Sequence, residues 1–461
     1  MKKYRIKNIV IAILGALLVY QTGMLWFGKN FGEVLLYNAR NAVNLGRISP
    51  EEGDFVPEAV IAGYGNKLYR VIRSEKEYSE VSEAMLSSVE ALADSGIKGE
   101  AEDTDWTEIL QSKCVIYKFP VSVSAYDYFA KFGKKAAARL SEELESFDYA
   151  VISVQSAGSS HTDFHFIDSA TGKGETFILE DNELSARMYE RSETFREEVF
   201  RQMPHISSVE NGFKLFKGNA FIPQWNGGDY YYNILYSADP FIAFGEFSEK
   251  LLNDYTDGFF SEFSVKRESK DVYRGTYLFS DDNVVVKYSK NGLLEYFDYG
   301  EESSSEQTVN SALKKAEDFI LKDKVLLTGL FLTDVKIKSE GLVFYFDYEA
   351  DNFPVELSAE IKENLDMESA IEVTVKNNRV KKYRRYMRNF YTSGNSSVVN
   401  TDFTYALESA ASMHMEEGLS PEPEELYLAY SVDSGDIYFM NWYVELSGIK
   451  YKCATFSADG E

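Results

Sequence analysis

At 461 residues, with a formal net charge of −26, 44% hydrophobic and 15% aromatic side chains, the chain is apolar enough for a globular body and too acidic to seek nucleic acid. Five basic and no acidic residues among the first thirty leave −31 for the remainder, which also disfavours direct adhesion to anionic lipid or wall polymer. The length fits about two to four domains.

The chain opens on its one long apolar stretch, "KNIVIAILGALLVYQTGMLWFGKN" (residues 7–30). From Asn8 to Phe27 no residue carries a formal charge, and such a helix spans roughly 30 Å, the thickness of a bilayer core. Bulky residues follow where a signal peptidase requires small ones, and no cysteine lies nearby, so the expectation is a retained anchor over 8–27. Lys2, Lys3, Arg5 and Lys7 place residues 1–7 in the cytoplasm and the body outside. Within the span Ala12, Gly15, Ala16, Val19 and Gly23 recur at three- and four-residue spacing, a face on which a second membrane helix can pack closely.

Beyond the anchor, "PEAVIAGYGNKLYRVIR" reads as strand, turn and strand. Tyr78, Val81, Ala84, Met85, Val89 and Leu92 recur at helical spacing over 74–95. "CVIYKFPVSV" is a strand expected to end at Pro120, "AYDYFAKFGKKAAARLSEELESF" is helical, and "YAVISVQS", "DFHFIDS" and "ETFILED" are further strands. These elements form an α+β domain over 31–200.

The remainder repeats a pattern. "NVVVKYSKNGLLEYFDY" (283–299) and "AIEVTVKNNRVKKYRRY" (370–386) are hairpins about Asn-Gly and Asn-Asn turns. Each closes a unit of one helix followed by strands, the helices being "FGEFSEKLLND" and "TVNSALKKAEDFILKD". A third, partial copy starts at "FTYALESAASMHMEEG". The spacing of roughly 85–90 residues is too long for a solenoid and points to duplicated modules of a helix on an antiparallel sheet. The acidic, Ser-rich "YGEESSSEQ" divides a middle domain (201–303) from a C-terminal one (304–461).

Chemistry-bearing motifs are sparse. His161, Asp163 and His165 alternate in "HTDFH" and would share one strand face, but two histidines without further ligands make a weak metal site, so an exposed polar face and no metal or cofactor are expected. No G-x-S-x-G elbow, H-E-x-x-H or phosphate-binding loop occurs. Cys114 and Cys453 sit in apolar strand-like runs and read as buried free thiols. The aromatic run "YYYNILY" (230–236) reads as sheet core.

The order of anchor, "FPVSVS" turn, "YYYNILYSADPFIAFGEFSEKLLND", "YRGTYLFSDDNVVVKYSKNGLLEYFDY" and the closing "WYVELSGIKYKCATF" resembles the YycH (WalH-type) regulatory family of Firmicutes. The second half is similar to the shorter YycI family. The resemblance implies a non-enzymatic protein that acts with a YycI-like anchored partner on a sensor kinase of the YycG (WalK) type, through contacts between membrane helices. Two alternatives from other classes remain: an anchored wall hydrolase, which needs converging histidines or carboxylates, and a module binding wall fragments or peptides, which needs an aromatic-lined pocket near Tyr230–Tyr236 or Trp442.

Overall fold

The computed structural model describes residues 57–455 apart from 73–74, 157, 199–203, 217, 225–229, 244–245, 261–265, 272, 274, 301–306, 324, 327 and 417–421. The expected anchor, with Ala12, Gly15, Ala16, Val19 and Gly23, lies outside the described residues. Among the described residues no helix is long and apolar enough to cross a membrane.

The first half builds a nine-stranded antiparallel sheet. Its strands are β1 (Ala59–Tyr64), β2 (Tyr69–Ile72), β3 (Glu100–Asp103), β4 (Lys113–Ser124), β5 (Ser146–Val154), β6 (His161–Asp168), β7 (Lys173–Glu180), β8 (His205–Ser207) and β9 (Phe221–Pro223). Their spatial order is β3-β7-β6-β5-β4-β1-β2-β8-β9. The helices are α1 (Glu75–Ser95), α2 (Trp106–Leu110), α3 (Ala125–Phe129), α4 (Lys134–Leu140) and α5 (Asn182–Glu198). Strand alternation sorts the core onto two faces. Val60 and Ala62 of β1 join the large core beneath α1, where Val81, Met85, Val89 and Leu92 are buried at helical spacing. Ile61 turns the other way and joins Ile116, Tyr149 and Val151 under α2.

Two expectations change here. The helix expected across "AYDYFAKFGKKAAARLSEELESF" breaks at Gly133, whose φ of 105° is open to glycine alone, and ends at Leu140. Pro120 does not end its strand. β4 continues to Ser124, and pairing with β5 slips between Lys118 and Val123, because proline has no N–H to give the ladder. β8 and β9, which follow α5, extend the same sheet from the edge of β2.

Glu175 of β7 is 1% exposed, and neither of its carboxylate oxygens has a partner among the described residues. It is packed under Gly99, where a Cβ would stand 2.4 Å from its Cγ. Burial, then repulsion from Glu143 and Glu142, pushes its pKa up to about 7 from 4.5. The folded state therefore holds the proton longer than the unfolded chain, and stability should fall as pH rises from 4.5 to 7. Glu175→Gln mimics the protonated acid. It should leave stability at pH 4.5 unchanged and raise it by about 1–3 kcal/mol at pH 8, read by denaturant unfolding at both values. Equal effects at both pH values would show that the carboxyl does not titrate this way.

The second half contains β10 (Tyr230–Ala238), β11 (Ile242–Ala243), β12 (Glu246–Phe247), β13 (Arg267–Asp271), β14 (Thr276–Ser280), β15 (Val284–Ser289) and β16 (Leu293–Asp298). There follow β17 (Gly329–Lys338), β18 (Gly341–Ala350), β19 (Phe353–Leu357), β20 (Ile371–Lys376), β21 (Arg379–Tyr386) and β22 (Asn389–Val399). β23 (Pro423–Val432), β24 (Ile437–Tyr438), β25 (Met440–Leu446) and β26 (Ile449–Cys453) complete the strands, with helices α6 (Glu249–Thr256), α7 (Val309–Ile320), α8 (Ala359–Leu365) and α9 (Phe403–Glu416).

Twelve of these strands form one sheet, β13-β14-β15-β16-β21-β20-β18-β19-β23-β25-β26, with β17 on the flank of β18. The β20–β21 hairpin turns at Asn377 and Asn378 with φ of 52° and 56°, the conformation that an Asn-Asn turn favours. β15 and β16 turn at Gly292 with φ of 89°. The last strands of the two hairpins pair antiparallel, Tyr296 opposite Tyr383, so the run α6, β13–β16 and the run α7, β17, β18, β20, β21 meet edge to edge. β19 and α8 are inserted in the second run only. β10 pairs β22 and β24 in a separate three-stranded sheet. The architecture is α+β, and the two large sheets meet where β9 lies against β23 and β4 against β17.

Candidate recognition cleft between the two sheets

The break in β4 pairing at Pro120 leaves Lys118 at the junction of the sheets. Its Nζ stands 2.6 Å from Glu58 Oε1 and also bonds Glu425 of β23, 307 residues further along the chain. Burial opposes its charge, but Glu425 and Glu58 outweigh that opposition and hold its pKa well above the ordinary lysine value. Glu425 is itself opposed by burial and drawn below its usual range by Lys118.

A second cluster lies on the far wall. Glu356 of β19 receives Lys450 at 2.7 Å, the Tyr427 hydroxyl at 2.6 Å and Lys362 at 3.9 Å. Burial raises its pKa and the two lysines more than reverse this. Asp347 of β18, 5% exposed, is pushed up by burial, and Lys362 only partly counters it. Glu445 of β25 is pushed up by burial and by Glu425, the residue opposite it in register.

These groups line one open cleft of about 1170 Å³. One wall comes from β1, β4 and β9, the other from β18, β19, β23 and β25, and Tyr230, Tyr231 and Tyr232 of β10 run along it. Its lining holds eleven carboxylates and three lysines. Such a surface supplies hydrogen-bond acceptors, negative charge and aromatic faces, the equipment of recognition.

Of the aromatic positions expected near a pocket, Tyr230–Tyr232 are in it. Tyr236 is instead stacked on Tyr391 with ring centres 5.9 Å apart. Trp442 is fully buried in the second core, its Nε1 donating to Thr401 O at 3.1 Å. His161, Asp163 and His165 share one face of β6, alternating with buried Thr162, Phe164 and Phe166. His165 Nδ1 lies 2.9 Å from Thr176 Oγ1, and burial lowers its pKa to about 4. Among the described residues no group of three or more metal-ligating side chains comes together. Cys114 and Cys453 are both free and buried. The cleft itself was invisible in sequence order: Lys118 and Glu425 are 307 residues apart.

No protein-family model matches the chain, and no curated protein matches it. Among solved structures, the crystal structure of YycH from Bacillus subtilis superposes with a TM-score of 0.54 at 12% identity, covering 87% of this chain and 96% of that one. The chain has a YycH-like fold.

Proposed function

We propose that this chain is a membrane-anchored, extracytoplasmic regulatory protein that biases a cell-wall sensor kinase of the YycG (WalK) type and works beside a YycI-like anchored protein. The observation that carries the reading is the YycH-like fold, matched over 87% of the chain rather than over one module. The sequence adds the anchor: an uncharged run from Asn8 to Phe27 preceded by Lys2, Lys3, Arg5 and Lys7. In this reading the body is a non-enzymatic binding partner. Two states of a kinase need differ by only about 1–3 kcal/mol in their contacts with a neighbour for signalling to change.

Crosslinking in native membranes, followed by purification of the intact chain, should recover a sensor histidine kinase and a second single-pass protein. The recovered chain should begin at residue 1 or 2 by intact mass. Recovery of wall polymer hydrolysis products with no kinase would overturn the regulatory reading, and a chain starting between about residues 25 and 40 would remove the anchor.

A further inference from the structure

We propose that residues 98–103 form a pH-sensitive strap, closed over the Glu175 side chain while that carboxyl is protonated and released from β7 when it ionises. This device goes beyond the regulatory reading and does not depend on it. The ground is what surrounds the carboxyl. Glu175 is 1% exposed, and neither of its oxygens has a donor among the described residues. In β7 it alternates with buried Phe177 and Leu179, and across the ladder it stands opposite Phe166 of β6 on one side and Ala101 of β3 on the other. A neutral carboxyl can sit in such a place, whereas a carboxylate there lacks both water and hydrogen bonds.

The charges around it do not stabilise the ionised form. Glu143 and Glu142, on the turn after α4, repel it. Lys98 is bound to Glu142 at 2.7 Å, with both side chains exposed, and Arg139 of α4 is turned to the backbone oxygens of Leu92, Ala93 and Ile97. Asp94, at the end of α1, is exposed. On the face of the sheet that carries Glu175, the nearest charged positions are Lys173, two residues before it, with Asp103 of β3 and Asp168 of β6 opposite Lys173. Lys173 and Asp103 are exposed. Glu100, Glu102 and His165 share the other face with Thr176, whose hydroxyl donates to Glu102 and lies 2.9 Å from His165 Nδ1.

The cover over Glu175 is thin and its ends are fixed. Gly99 lies so close that a Cβ there would stand 2.4 Å from the Glu175 Cγ. Arg139 pins one end of the strap at Ile97 O, and at the other the Thr104 N–H donates to Gly172 O at 3.0 Å. Between them β3 ends its sheet, pairing among the described residues with β7 only, and all four of its residues are exposed. The exposed Lys98–Glu142 pair adds little to its hold. Opening this segment gives up little burial and hydrates the carboxylate, whereas reaching it from beneath takes apart the core that holds Phe166 and Phe177. It also bares the Lys173–Thr176 edge of β7 to pairing by another strand. Burial, then Glu143 and Glu142, push the pKa of the closed form up to about 7 from 4.5. The strap is therefore held most firmly below pH 4.5, loosens as pH rises toward 7 and changes no further above it.

The test is hydrogen exchange of the full chain in zwitterionic nanodiscs, read by mass spectrometry and corrected for the intrinsic pH dependence of exchange. From pH 4.5 to about pH 8, protection across residues 98–104 should fall about tenfold or more, while the β15–β16 hairpin keeps its protection. Glu175→Gln should keep the strap protected at both ends of this range. Gly99→Ala, which wedges the strap away from the carboxyl, should leave it unprotected at both, with the hairpin still protected. An equal fall in Glu175→Gln would assign the effect to other groups and overturn the proposal. So would strap protection that is indifferent to pH in the unsubstituted chain, or Gly99→Ala behaving like that chain. A hairpin that loosens in step with the strap would make Glu175 a determinant of global stability only, and would overturn the proposal as well.

Discussion

Replacing Asp323 by Ala should destabilise the second half by about 3–5 kcal/mol, the largest loss expected from a single side chain in this protein. Asp323 lies in the turn after α7 and is 6% exposed. Its Oδ2 accepts from the Arg385 guanidinium, from the Tyr255 hydroxyl at 2.7 Å and from the Tyr383 hydroxyl at 3.2 Å, while Oδ1 accepts the Val325 N–H at 3.1 Å. Arg385 is fully buried; its Nε donates to the Tyr348 hydroxyl at 3.1 Å, and that hydroxyl donates to Tyr386 O at 2.6 Å. Burial disfavours the guanidinium charge, and Asp323 holds it well above its ordinary pKa nonetheless. Tyr255 comes from α6, Tyr348 from β18 and Tyr383 from β21, so one carboxylate ties both helix-and-sheet runs together. Without it a buried cation and two buried hydroxyls lose their acceptor at once. Urea unfolding followed by tyrosine fluorescence should show the loss. Asp323→Ala with Arg385→Met should recover part of it, since the stranded charge goes with the arginine. A loss below about 1 kcal/mol would mean that water replaces the carboxylate and that the hub is not structural.

This network shows where the sequence could and could not be read. The hairpins at 283–299 and 370–386 were legible because their turn chemistry is local: Asn291-Gly292 and Asn377-Asn378 sit between alternating strands. The helix at Glu75–Ser95 was legible because its buried positions keep a helical period. Asp323 gave no such signal. It is one acid among 74, and its side-chain partners at 255, 383 and 385 meet only after the sheet has paired β16 with β21. The same holds for the cleft, whose charged residues come from segments as distant as Glu58 and Lys450. Aromatic content flagged Tyr230–Tyr232, but it flagged Trp442 equally, and the difference between lining and core is set by tertiary packing. Pro120 was read as a strand end because proline removes a ladder bond; in this fold the bond is lost and the strand goes on through a bulge.

If the proposed regulation runs through the membrane span, Gly15→Leu with Gly23→Leu should abolish recovery of the kinase by crosslinking and shift its output, while the body stays folded. Gly15 and Gly23 lie on the expected face with Ala12, Ala16 and Val19, outside the described residues. The argument is steric. In lipid no hydrophobic gain drives two helices together, so association depends on close packing of their surfaces. A Leu at either position adds a four-carbon side chain where the partner's backbone must come nearest, and the contact opens. Insertion should not suffer, because Leu favours the bilayer core more than Gly does. Val10→Phe adds bulk about half a turn away and should be silent, which separates a specific face from general crowding of the span. Unchanged urea unfolding of the body in the double variant would show that the loss is one of contact. A chain lacking residues 1–30 and exported by a foreign signal provides the decisive comparison. Should that form restore normal signalling in cells, regulation belongs to the body and its cleft, and the small residues of the span are only what membrane helices commonly contain.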